Sequence, residues 1–173
     1  MSPILAWAVE WVSLYGPWVV FLMTFVETGF MIGLVLPAGP TIVFGCVLAV
    51  QGNFDFGLVV LATLAGGFLG DNLGFLWGRR AGRHVLEGQG RFGRAAQRHW
   101  GKAEELFGKH PVYAVSFARL ISFVRTLMPV AAGTSHLSYR AFVFYDVLGV
   151  LAWGSAHLIL GYLAGESWQR MSA

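Results

Sequence analysis

Arg119 and Arg125 sit inside an apolar stretch running from Pro111 to Ala132, and Glu27 is the one charged residue of another, from Pro17 to Pro37. Each charge held at bilayer depth costs roughly 2.5 to 3.5 kcal/mol on the insertion scale, so a chain keeps it for a partner, a substrate or a water-filled cavity. Two guanidinium groups offer paired donors that match the oxygens of a phosphate. A carboxylate at the same depth either carries a proton or neutralises one of the arginines. On an uninterrupted helix the two arginines project about 120° apart, and a backbone break near Pro129 would bring both toward one cavity. The competing reading is structural: Glu27 pairs with one arginine, or the side chains snorkel to the headgroups. That leaves one arginine unmatched.

Asp71 and Asn72 follow in a glycine-rich stretch, where Asp71 is either a second protonatable group or a packing partner of Arg79 or Arg119. Asp146 and His157 are weaker candidates, Asp146 because it lies near one end of its segment and His157 because a lone histidine is more often a hydrogen-bonded packing residue. Gly66, Gly70, Gly74, Gly78 and Gly82 recur every fourth residue, and Gly149, Gly161 and Gly165 keep the same register later in the chain. Such stripes let another backbone approach closely. No nucleophile stands beside a base, no phosphate-binding glycine loop is followed by Lys and Ser/Thr, and the histidines lack metal-ligand spacing. We expect no enzyme activity, no metal and no cofactor. Cys46 is the only cysteine, which excludes an intrachain disulfide.

The elements that must position these residues are those of a membrane protein. Of 173 residues, 56% are hydrophobic and 12% charged, and the mean hydropathy of +0.62 leaves too little polar surface to cover a soluble globule. Tryptophans such as Trp7, Trp11, Trp18, Trp77, Trp100 and Trp168 near segment ends suit the headgroup belt. No basic side chain precedes the first apolar stretch and Glu10 interrupts it, so the N-terminal segment is expected to be retained. Eight of the 12 Lys and Arg fall between Arg79 and His110, which places that segment on the cytoplasmic side. Its setting between membrane segments, and Glu87, Glu104 and Glu105 within it, disfavour nucleic-acid binding.

The expected architecture is all-α, one membrane domain over residues 1–173. An interfacial helix covers 3–15, a re-entrant hairpin broken at Pro37 and Gly39 covers 17–52, and a transmembrane helix covers 56–78. A basic cytoplasmic connection comes next over 79–110, then a second re-entrant hairpin over 111–134 broken at Pro129 and Gly133, then a transmembrane helix over 141–164. Two units of hairpin plus span, joined by one cytoplasmic loop, would insert as inverted repeats, which place broken helices tip to tip near the midplane.

In order, FVETGFMIGLVLPAGP, GGFLGDNLGFLWGRRAG and FARLISFVRTLMPVAAGTSHLSYRAF resemble the DedA family of bacterial membrane proteins, relatives of the eukaryotic autophagy-linked lipid scramblases. The resemblance runs from about Tyr15 to Gly165. It implies two facing re-entrant hairpins in the bacterial cytoplasmic (inner) membrane and a flippase role in lipid transport for the cell envelope. Undecaprenyl phosphate returned to the cytoplasmic side is the leading substrate, phosphatidylethanolamine the alternative, with coupling to protons or sodium. By the same resemblance Arg119 and Arg125 bind phosphate, Glu27 is the first-hairpin acid, and Asp71 is the acid of the glycine-rich motif. Many members carry a second acid just after the hairpin proline, where this chain has Gly39, so coupling here would run differently, through Asp71, or not at all. A passive scramblase, an ion-coupled exporter of small cations and a non-transporting assembly factor using the glycine stripes are the rivals. A homo-oligomer is compatible with those stripes.

Overall fold

The computed structural model describes residues 3–29, 38–87 and 122–172, and every regular element among them is a helix. In chain order these are α1 (Pro3–Gly29), α2 (Ala38–Val50), α3 (Phe56–Glu87), α4 (Ser122–Thr134) and α5 (Tyr139–Ser172). Pro37, Arg119 and most of the basic connection lie outside the described residues, as does the first part of the expected second hairpin.

The helix ends are set by local chemistry. Gly52, at φ 83°, ends α2 in a Schellman motif: its N–H donates to the Ala49 carbonyl at 2.9 Å, and Asn53 N–H donates to Leu48 at 3.1 Å. Asp55 then starts α3, its Oδ1 accepting from Leu58 N–H at 3.3 Å. Ser138 starts α5 in the same way, accepting from Ala141 N–H at 3.3 Å. That cap begins the last helix at Tyr139, two residues before the expected 141.

Two expected interruptions are absent. Gly16–Pro17 does not separate an interfacial helix from the first hairpin arm, because α1 runs through Pro17. Likewise α4 continues through Pro129 and Gly133 to Thr134. Each proline removes one rung of the ladder and frees the carbonyl four residues earlier, Ser13 and Arg125, a loss a long apolar helix tolerates without ending. Gly39 lies in the first turn of α2, which starts one residue earlier at Ala38.

Packing follows the glycines. α1 runs parallel to α3, with Phe21 and Thr24 over Gly66 and with Phe25 and Thr28 over Gly70. α4 runs parallel to α3 one stretch further on, with Pro129 at Gly74 and the Val130 carbonyl at Gly78. Along the ladder, Gly66 and Gly70 therefore serve one neighbour, and Gly74 and Gly78 another. α2 turns back antiparallel to α1, Val20 against Gly45, and runs parallel to α5, where Gly161 meets Cys46 and Gly165 meets Val50. α5 lies antiparallel to α3: Phe75 stacks on Phe142 with ring centroids 4.4 Å apart, and Gly67 meets Val150.

Outside the bundle the side chains are apolar, among them Leu61 at 65% exposure and Leu160 at 60%. Inside it, Thr24, Glu27, Thr28, Thr63, Asp71, Asn72 and Asp146 are buried. A water-soluble fold would reverse that distribution. Among the described residues two helices, Phe56–Arg80 and Tyr139–Met171, are by length and composition long and apolar enough to cross a membrane.

Neighbouring glycines of α3 give a test. A Cβ at Gly67 meets only ordinary contact, 3.5 Å from Val150, whereas one at Gly70 collides with Thr28 Oγ1 and lies 2.6 Å from the Phe25 carbonyl. Gly67→Ala should leave thermal stability in detergent unchanged or raised, by up to about 1 kcal/mol of helix propensity. Gly70→Ala should lower it by about 1 to 3 kcal/mol.

Candidate functional site

Glu27 lies in the last turn of α1 and is 3% exposed. Its Oε2 accepts a hydrogen bond from the backbone N–H of Ala38, the first residue of α2. A carboxylate there satisfies one of the donors a helix leaves unpaired at its start and meets the positive end of the helix dipole. One side chain therefore closes the α1–α2 hairpin across the intervening residues. Thr24 lies one turn before Glu27 on the same face of α1, and Thr28, next to Glu27 in sequence, follows Thr24 by four residues. Their hydroxyls return to the helix itself, Thr24 to the Val20 carbonyl at 2.7 Å and Thr28 to the Thr24 carbonyl at 3.0 Å.

Asp71 is fully buried and Asp146 is 1% exposed. On α3, Asp71 falls midway between Gly67 and Phe75; on α5, Asp146 falls midway between Phe142 and Val150. Because those flanking residues meet across the antiparallel pair, the two acids stand at one level on facing stripes. Glu27 joins them at that depth, since the next residue, Thr28, packs on Gly70. At 1.5 Å per residue the level is about 22 Å from Phe56 and about 13 Å from Arg80, well inside the span. Asn72 extends the polar set, accepting from the Tyr139 hydroxyl at 2.8 Å and donating to the Phe68 carbonyl at 2.7 Å.

Arg79, one of the two packing partners left open for Asp71, is engaged elsewhere. Arg79 donates to the carbonyls of Ser135 and Leu137 at 3.1 and 2.7 Å, and its guanidinium lies over the Phe75 ring, 5.0 Å from the centroid. It ties the α4–α5 turn to α3. Arg125 belongs to α4, whose Pro129 and Val130 rest on α3, while Arg119 lies outside the described residues. Pro129 and Gly133 act as packing positions, a Cβ at Gly133 colliding with the Phe75 carbonyl. An apolar groove of about 300 Å³ between α1 and α2, lined by residues including Tyr15, Val19, Thr41 and Phe44, lies apart from the carboxylates.

Sequence reading missed Thr24 and Thr28, although their four-residue spacing puts both on one helix face, and undervalued Asp146, whose depth depends on its register against α3.

The VTT domain family matches residues 36–163. Over 164 residues the chain is 31% identical to protein DedA of Escherichia coli strain K12, covering 90% of this chain and 73% of that protein. It is 29% identical over 168 residues to the inner membrane protein YqjA of the same strain, covering 93% of this chain and 76% of that one. With an uncharacterized membrane protein of Mycobacterium leprae it shares 32% identity over 146 residues, 84% of this chain but 64% of that relative's length. No solved structure matches it significantly.

The Glu27 cap makes an ordered expectation. Glu27→Gln keeps an oxygen for Ala38 N–H and loses only the charge, whereas Glu27→Ala strands a buried donor, at about 1 to 3 kcal/mol. Thermal unfolding of the purified protein should rank wild type above the Gln variant and the Gln variant above the Ala variant.

Proposed function

Because the chain belongs to the VTT domain family, the DedA/SNARE-associated membrane proteins, and sets carboxylates at one depth inside a lipid-facing bundle, we propose that it carries a lipid phosphate across the membrane. Arg119 and Arg125 receive the headgroup phosphate, and the tail stays in lipid. Glu27 neutralises the arginines when the site is empty. Translocation makes and breaks no covalent bond. Buried polarity inside an apolar exterior is the observation that carries the reading, since such groups persist in membranes at substrate and ion pathways.

The leading substrate is a polyprenyl phosphate such as undecaprenyl phosphate, because a terminal phosphomonoester engages two guanidinium groups with no further headgroup in the way. Glu27, together with Asp71 and its facing Asp146, supplies the carboxylates through which a proton or sodium gradient would act. The setting is the bacterial inner membrane, crossed more than once.

An inverted-repeat arrangement of two re-entrant hairpins belongs to this reading. Its support is an exchange of partners between the halves: α2 of the first half packs parallel on α5 through Gly161 and Gly165, and α4 of the second packs parallel on α3 through Gly74 and Gly78. Inverted repeats put a substrate site where such halves meet.

Reconstituted transport tests the function. In liposomes the wild type should move labelled polyprenyl phosphate faster than labelled phosphatidylethanolamine. Arg119→Lys and Arg125→Lys, at equal membrane abundance, should each lose about tenfold, the loss of a bidentate contact. Full rates in both variants, or equal rates for the two lipids, would overturn the reading.

A further inference from the structure

Arg140 is the second residue of α5, is exposed, and among the described residues makes no hydrogen bond or ion pair. A cation in a first turn opposes the helix dipole, so its charge does nothing for α5 itself. Arg79 and Arg80 lie at the same end of the bundle, because α3 and α5 are antiparallel and Phe75 stacks on Phe142. Arg79 is committed to the Ser135 and Leu137 carbonyls, and Arg80 is exposed. On these two helices Asp71 and Asp146 lie buried about two turns further in. Among the described residues, then, the surface at this end carries cations without facing acids.

Arg140 also heads a groove of about 420 Å³ along α5, lined by Tyr139, Val143, Phe144, Val147 and Leu148. Below the arginine its walls are apolar, and the Tyr139 hydroxyl is turned to Asn72. From Arg140 to Leu148 the helix rises about 12 Å. That is close to the half-thickness of a bilayer hydrocarbon core, about 15 Å. A cation at the mouth and hydrocarbon walls reaching toward the midplane give the groove the polarity of a lipid of one leaflet. An anionic headgroup satisfies the guanidinium, whereas a zwitterionic one brings a cation of its own beside it. A second copy of the chain, inserted in the same orientation, would bring its own arginines to this level.

We propose that this face of α5 binds a resident anionic phospholipid, with its phosphate on Arg140 and one acyl chain in the groove. The lipid is a lasting neighbour and not the cargo, and its binding needs neither Arg119 nor Arg125.

Native mass spectrometry of the purified full chain, offered phosphatidylglycerol and phosphatidylcholine with the same acyl chains, tests it. The wild type should retain phosphatidylglycerol about fivefold over phosphatidylcholine, the scale of one basic residue at an anionic surface. Arg140→Gln should bring the two lipids to parity. Val147→Trp fills the groove and alters no charge, and it should lose the bound phosphatidylglycerol. Arg80→Gln removes a cation from the same end but outside the groove, and should keep the preference. All three positions are exposed, so folding is not at stake. Equal retention of the two lipids by the wild type would overturn the proposal, as would a preference that survives Arg140→Gln or Val147→Trp. So would a preference that Arg80→Gln abolishes as fully as Arg140→Gln, or a dimer in place of the lipid adduct. Retention is read without transport and with Arg119 and Arg125 intact, so failure here leaves the lipid-phosphate reading standing, and the reverse holds.

Discussion

A carboxylate on the first amide of a helix, Glu27 on Ala38, is the contact on which the arrangement depends. In hydrocarbon a helix start has no water to satisfy its donors, so a short apolar helix such as α2 ends at depth only if protein supplies the acceptor. Glu27 does so from the last turn of α1. The same contact explains how a charged residue survives in an apolar stretch: it faces the positive end of a helix dipole inside the bundle. A structural and a functional role for Glu27 then cease to be rivals. The acid that closes the hairpin stands at the depth of Asp71 and Asp146.

The rest of the fold brings helices close without a hydrophobic driving force, since lipid tails are as apolar as leucine. Close backbone approach at Gly70 and Gly78 substitutes for it, one toward α1 and the other toward α4. The α4–α5 turn is then fixed by Arg79, whose guanidinium serves two carbonyls and covers Phe75. A cation that the charge pattern reads as a marker of the cytoplasmic side turns out to be a clamp between α3 and the helix that carries Arg125.

Legibility followed the physics of each residue. Glu27 and Asp71 were readable because an acid in an apolar run is expensive wherever it points, and both are buried. The glycine ladder was readable as a packing stripe, though not that it serves two partners. Pro17 and Pro129 were misleading: a soluble-protein instinct makes proline a boundary, while α1 and α4 pass through both. Asp146 looked peripheral because its depth is set by Phe142 and Val150 meeting α3, a long-range register that periodicity does not carry. Arg119, Pro37 and most of the basic connection lie beyond the described residues, and their parts in the account come from the sequence.

The central claim is that a lipid phosphate enters the bundle and meets guanidinium groups there. Solid-state NMR measures this directly, as phosphorus–nitrogen dipolar dephasing between a polyprenyl phosphate and guanidinium-labelled arginine in bilayers. The account predicts strong dephasing in the wild type that falls sharply when Arg119 and Arg125 are both replaced by lysine. Dephasing that is the same in the wild type and the double variant would contradict it.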